Sequence, residues 1–374
     1  MLSLIHTFKK LAPDSVKRCF ACACICMLSI LTAASYTSSA AEEAPAHNST
    51  ALPRWKTLWT QSNAGDWDAF CKLLSHYWEP ELDRLLTQIP DEKIDAQLRE
   101  LMQAAQSGSA DACHMLALYH YYMKMDHRNG LYYLEKGVEL GNPDCIIMLA
   151  DSMLFGDLSE NEIARLRELY LKAAKAGRSD AYASLATMYM LLMEKGIDVS
   201  QSAELCEKYV KVAEDAGSAL AWAVKGAMYA GGTGRPANNN EAKSCYKIGA
   251  QKGNKLAQCI YGRLCLGTPG SESEGILYLK KSAAQFNAEA IAALGCVYFE
   301  GLFNEPQDIE KGLLLIQYAA YNGNALAQLR LGQIFYNGEH VLPNKELAIE
   351  WIKKSADRGH PEAQRIISYL QSDK

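Results

Sequence analysis

Four kinds of residue in this 374-residue chain invite a chemical reading: a serine with a lysine one turn on, a glycine-rich loop, eight histidines and twelve cysteines. Ser244-Cys-Tyr-Lys247 has the spacing at which a lysine sits beside an acylatable serine in β-lactam-cleaving enzymes. Neither the Lys-Thr-Gly nor the Ser-Asp-Asn element that completes such a site occurs, and a chain of this size produces one such match by chance. Gly231-Gly232-Thr233-Gly234 resembles a phosphate-cradling loop, yet no Gly-Lys-Ser/Thr follows it. The histidines are His6, His47, His76, His114, His120, His127, His340 and His360, and no two stand four residues apart, the spacing that lets two imidazoles on one helix share a metal. Paired carboxylates suited to acid–base work cannot be picked out, because Asp and Glu spread over helix faces. The residues thus point away from an enzyme, with no catalytic residue, no metal ligand and no cofactor expected.

The cysteines divide by position. Cys19, Cys22, Cys24 and Cys26 fall in a leader in which Lys9, Lys10, Lys17 and Arg18 precede an apolar run from Cys19 to Ala34, with small residues Ser38, Ser39 and Ala40 after it. That order is the secretory pattern, with cleavage expected near Ala40 or Ala41. The run is short for a membrane span, which needs ~20 apolar residues. Removing residues 1–40 takes the net charge from −5 to −8. An exported protein, periplasmic or extracellular, is expected, with no membrane association beyond the export signal. Eight cysteines remain: Cys71, Cys113, Cys145, Cys206, Cys245, Cys259, Cys265 and Cys296. An even number permits bridges in an oxidising compartment, but sequence selects no pairing. The regular positions favour core thiols that act as small hydrophobes.

The elements that carry these residues follow from the bulk. The chain is 49% hydrophobic and 22% charged, as a folded protein is, and Ala, Leu, Lys, Glu and Tyr favour helices. No basic block stands out, which argues against nucleic acid as a partner. After a polar tether the chain repeats itself. One slot holds Gly108, Gly141, Gly177, Gly217, Gly253, Phe286, Gly323 and Gly359, at intervals of 33 to 40 residues. Four places on stand Ala112, Cys145, Ala181, Ala221, Ala257, Ala290, Ala327 and Ala363, and five further on another small residue, from Ala117 to Gly332. Three beyond those stand His120, Met153, Tyr189, Tyr229, Cys265, Tyr298 and Phe335. Such offsets lie on one stripe of a helix, where small residues admit a second helix and larger ones fill the gap to the next pair. The glycine is a left-handed helix stop. Phe286 cannot adopt that conformation cheaply, so its junction is expected to be built differently.

These residues resemble the Sel-1-like repeat family, relatives of the tetratricopeptide repeat. "ALAQLRLGQIFYNGEHVLPNKELAIEWIKKSADRG", residues 325–359, carries the fullest match, followed by "ALGCVYFEG" at 293–301 and "AVKGAMYAGGTG" at 223–234. The resemblance implies an all-α, right-handed α-α superhelix (solenoid) of about seven to eight helix-pair repeats. The chain divides into a signal peptide over 1–40, a polar tether over 41–64, a divergent N-terminal repeat or cap over 65–109, the array over 110–360, and a C-terminal capping helix and tail over 361–374. Trp55, Trp59, Trp67 and Trp78 are expected to cap one end. A secreted cysteine-rich branch of the family has been associated with penicillin binding and β-lactam hydrolysis, which makes such a hydrolase the alternative function. The present cysteines depart from that branch, since no unit-by-unit pair recurs.

In tetratricopeptide-type arrays the first helix of each pair turns non-consensus positions into a concave groove. Counting from the small slots places His114, Tyr121, Tyr122, Asp151, Phe155, Thr187, Arg263, Phe299, Gln333 and Tyr336 there, with Leu118, Ile147, Leu154 and Met190 beside them. The partner expected is a protein or peptide, and the function an exported interaction scaffold or adaptor. Several of these side chains would equally serve as packing against the next repeat.

Overall fold

The computed structural model describes residues 55–77, 96–154, 159–197 and 199–372. The leader, residues 41–54, Trp78 and Phe155 lie outside the described residues. Among the described residues there are eighteen helices and no strand, the all-α helix-pair array of a solenoid. The order is α1 Trp55–Asn63, α2 Trp67–Tyr77, α3 Ala96–Gln106, α4 Ala110–Tyr122, α5 His127–Glu139, α6 Pro143–Met153, α7 Glu160–Lys175, α8 Asp180–Glu194 and α9 Val199–Asp215. Then come α10 Ala219–Gly231, α11 Asn239–Gln251, α12 Lys255–Leu266, α13 Glu272–Ala284, α14 Ala288–Glu300, α15 Ile309–Tyr321, α16 Ala325–Asn337, α17 Lys345–Asp357 and α18 Pro361–Ser372. The tether expected over 41–64 therefore ends sooner, because Leu58, Trp59 and Ser62 bury one face of α1.

Each junction between repeats has one construction. The slot glycines have φ between 80° and 91°. At Gly253 the slot N–H donates to the Ala250 carbonyl at 3.1 Å and the Asn254 N–H to the Gly249 carbonyl at 3.0 Å, which satisfies two orphan carbonyls of the helix end. At most junctions the residue after the slot then caps the next helix, the exception at Gly177 being Arg178. Asn142, Asn254, Asn287 and Asn324 each accept backbone N–H groups through the side-chain oxygen. Phe286 overturns the expectation of a different junction. It has φ +60°, and the bonds Phe286 N–H to Ala283 carbonyl (2.8 Å) and Asn287 N–H to Ser282 carbonyl (3.3 Å) reproduce the glycine geometry. A side chain in that region costs roughly 1–2 kcal/mol, so something must offset it.

The small slots face one another across the pairs α12–α13, α14–α15 and α16–α17. Gly262 of α12 meets Gly275 of α13, where an added Cβ on Gly275 would stand 2.8 Å from the Gly262 carbonyl oxygen. At Gly312 a Cβ would stand 2.5 Å from the Phe299 backbone nitrogen. Backbone contact of this kind leaves no space for a methyl group.

The described residues fall into two compact units. Unit 1 holds 101–117 and 131–261; unit 2 holds 55–77, 96–100, 118–130 and 262–372. No helix among the described residues is long and apolar enough to cross a membrane.

Candidate functional site

In unit 1 the inward positions of the first helices hold polar groups. Asp151, near the end of α6, is 4% exposed, and the Tyr170 hydroxyl of α7 donates to its Oδ1 at 2.7 Å. Its Oδ2 has no hydrogen-bond partner among the described residues. Burial pushes the Asp151 carboxyl up to about 8, against the Tyr170 hydrogen bond and the Lys255 ammonium, which pull it down. Burial likewise brings Lys255 down to about 7, with Asp151 opposing. His114 is fully enclosed on α4, and desolvation lowers its pKa against the pull of Asp144, which favours the neutral imidazole. Thr187 is buried and its hydroxyl donates to the Ala183 carbonyl one turn back at 3.1 Å. The polar centre is enclosed, and the hydrogen bonds of Asp151 to Tyr170 and of Thr187 to Ala183 run within the same unit.

A second polar pattern in unit 1 lies at the junctions. Asn142 Nδ2 donates to Asp111 Oδ1 at 3.0 Å, Arg178 pairs with Asp144 at 2.5 Å, and the Ser218 hydroxyl bonds Asp180. In each case the residue just after one slot glycine reaches the acid three places after the preceding one. This ladder pins the register of neighbouring repeats. It was legible as a polar slot one place after the glycine, and sequence reasoning missed it. Also missed were Gln258 and Gln328, whose amides donate to the Ala250 and Ala320 carbonyls at 3.2 and 3.0 Å and tie each first helix to the preceding one.

In unit 2 the corresponding interior is aromatic. Phe286 is 2% exposed and stands at the centre of a ring cluster. Trp59 of α1 stacks on it with centroids 4.6 Å apart, Phe70 of α2 meets it edge-on at 5.0 Å, and Tyr122 and Tyr318 lie at 5.5 and 6.4 Å. The Tyr318 hydroxyl donates to the Tyr122 carbonyl at 3.0 Å. The Ser62 hydroxyl, fully buried on α1, donates to the Ala284 carbonyl at the end of α13. Trp67 stacks on Tyr298 at 6.3 Å, with the Lys311 ammonium 5.2 Å from the first ring and 4.2 Å from the second. Aromatic pairs contribute about 0.5–1.5 kcal/mol each beyond their burial. Two or three of them at Phe286 outweigh the backbone cost of its positive φ, and that is why a phenylalanine persists at a glycine slot. α1 and α2 lie on the aromatic bay made by the end of α13, α15 and the end of α4.

The sequence-expected groove residues separate into several environments. His114, Asp151 and Thr187 are buried in unit 1. In unit 2, Tyr122 is buried in the aromatic bay, and Phe299 is buried with the Arg330 guanidinium 5.2 Å and the His340 ring 5.7 Å from its own. Tyr121 is half-buried and leans on Gly130, where a Cβ would stand 2.9 Å from its ring. Arg263 is exposed and ion-paired with Glu289. Gln333 is half-buried and Tyr336 is 51% exposed on one face of α16, with the Lys345 ammonium 5.9 Å from the tyrosine ring. Phe155 lies outside the described residues.

Ser244 and Lys247 are exposed on α11, and the lysine lies 6.0 Å from the Tyr261 ring. Among the described residues the eight cysteines form no disulfide, and six of them are buried. Burial raises Cys71 and Cys296 to about 11 and Cys206 to about 12, which keeps them protonated and poorly nucleophilic. Among the described residues no three His, Cys, Asp or Glu side chains gather as a metal site would require.

The family signature described as "Sel1 repeat" matches residues 110–142, 179–218, 219–254, 255–285, 288–324 and 325–360. Among solved structures, the chain is similar to c5321, a protective antigen present in uropathogenic Escherichia coli strains and displaying an SLR fold. Identity is 25% and the TM-score 0.39, over 74% of this chain and 59% of the antigen, so the chain spans less than two thirds of that relative's length. It is also similar to a Sel1 repeat protein from Oxalobacter formigenes, at 22% identity and a TM-score of 0.42 over 85% of this chain and 91% of the other. No curated protein matches the chain.

Proposed function

The chain belongs to the Sel1 repeat family, whose members are in general scaffolds for protein–protein interaction, and on that footing we propose that this protein is an exported adaptor that binds a protein or peptide on the first-helix surface of its repeats. One observation carries the reading: the rings of Tyr122 and Tyr318, in matched repeats, and of Phe286, at the junction between two of them, already hold two helices from outside the matched repeats. A surface that grips helices by aromatic anchors in a buried bay has the anatomy of a protein interface. The more accessible of the expected first-helix positions are Gln333 and Tyr336 on α16 and Arg263 on α12. Export rests on the basic leader, the apolar run and the small residues before Ala41.

The experiment is photocrosslinking from position 336 in the exported fraction, run beside Gln333→Ala/Tyr336→Ala. The expected result is a discrete partner band at position 336 that fades in the double variant, whose thermal melting is unchanged. Identical bands in both would end the reading. Mass measurement of the purified mature chain tests export: an N-terminus near Ala41 is expected, and an intact Met1 refutes cleavage.

A further inference from the structure

The Phe286 bay has three features that a permanent core does not require. First, the chain keeps a phenylalanine at φ +60° in a slot where seven other repeats carry glycine. A glycine there would close the same Schellman-type junction without strain, so the ring is retained for what it touches. Second, the two rings nearest to it come from outside the matched repeats: Trp59 at 4.6 Å and Phe70 at 5.0 Å, from α1 and α2, ahead of Tyr122 and Tyr318 of the repeats at 5.5 and 6.4 Å. Third, the fit at the rim is incomplete. The Trp67 indole N–H is buried with no acceptor among the described residues, and Trp67 is held instead through its ring face by Tyr298 and Lys311. α1 and α2 are amphipathic: Leu58, Trp59 and Ser62, then Ala69, Phe70, Leu73 and Leu74, are buried, while Thr60, Gln61, Asp68 and Lys72 are exposed.

We infer that the Phe286 bay is a helix-binding site whose ligand is an amphipathic helix bearing aromatic anchors, and that in the free chain α1–α2 occupies it as an internal stand-in. The inference deepens the adaptor reading by giving the class of partner, and it places that partner in competition with the chain's own N-terminal helices. An occupied bay lowers the apparent affinity for an outside helix by the fraction of molecules in which it stands open; one open molecule in about a hundred means about 100-fold weaker binding. Phe286→Gly is the informative substitution, because it supplies the residue the repeat uses elsewhere and removes the ring on which Trp59 and Phe70 dock.

The probe is a fluorescent synthetic peptide of residues 55–77, added to the full mature chain and followed by anisotropy. Trp59→Ala/Phe70→Ala weakens the internal helices and is expected to bind the peptide with a Kd on the order of 10 μM. The wild type, with its bay filled, is expected to bind about 100-fold more weakly, and adding Phe286→Gly to the double variant is expected to abolish binding while helix content stays unchanged. Equal, weak binding by all three chains would overturn the inference, as would peptide binding that survives Phe286→Gly. If the double variant fails to fold, hydrogen exchange on the wild type decides. Amides of α1–α2 are expected to exchange at least about 100-fold faster than those of α13–α15, as a separately opening segment does; equal protection makes the two helices part of the core and sinks the proposal. A dimer that exchanges α1–α2 between copies, seen by sedimentation, would overturn the assignment in cis. None of these readouts uses the partner captured from position 336, so either proposal can fail alone.

Discussion

The two units use one repeat frame and fill it in opposite ways. Unit 1 turns His114, Asp151, Thr187 and Lys255 inward, with Asp151 held by the Tyr170 hydroxyl and Thr187 by a backbone carbonyl. Unit 2 turns Tyr122, Phe286 and Tyr318 inward and covers them with Trp59 and Phe70. The frames differ in closeness too. Eleven places before the junction, unit 1 has Leu166, Cys206 and Ala242, whereas unit 2 has Gly130, Gly275, Gly312 and Ala348. Repeat register and interior chemistry are therefore independent variables: the first is set by small residues and caps, the second by a few positions per unit that register leaves free.

The sharpest way to break that contrast is Gly312→Ala, whose Cβ would meet the Phe299 backbone. It is expected to destabilise the protein by about 3 kcal/mol in urea unfolding, at the upper end of overpacking costs. Cys206→Ala at the same slot of unit 1 is expected to cost no more than about 1.5 kcal/mol. Similar losses at the two sites would mean that the helix pairs of unit 2 are no closer than those of unit 1.

The polar interior of unit 1 should register in the pH dependence of stability. The Asp151 pKa is raised on folding from 3.8 to about 8, so the stability it contributes is complete below about pH 4 and is lost as pH rises through about 8. Lys255, lowered from 10.5 to about 7, acts in the opposite direction between those values. Between pH 4 and 7 only the first operates, with a slope of up to about 1.4 kcal/mol per pH unit for one proton. Asp151→Asn is expected to flatten that decline; urea titrations that keep the wild-type slope in the variant would show that Asp151 does not titrate there. Tyr170→Phe removes the donor to Asp151 Oδ1 and is expected to cost about 1–3 kcal/mol, with no change in peptide binding at the Phe286 bay. The smallest effect should be that of Tyr336→Ala, within about 0.5 kcal/mol in stability as for an exposed surface site, read by differential scanning calorimetry.

The sequence by itself settled the frame. Glycine at the helix stop, alanine or glycine at two further slots and the period near 36 are local requirements of one helix pair, and every one of the small-slot residues from Ala112 to Ala363 is buried where spacing put it. Tertiary structure decided the contents. His114, Tyr122 and Phe299, read from position as groove-lining, are enclosed, because which inward side chains remain open depends on contacts between distant parts of the chain, 196 residues apart in the bond between Tyr318 and Tyr122. Phe286 shows the limit most clearly. Local backbone energetics forbid the conformation it adopts, and only rings that arrive from a sequence-distant pair of helices outweigh that cost. A rule of local conformation holds wherever its penalty exceeds what packing returns, and the return cannot be counted until the chain has brought its distant partners together.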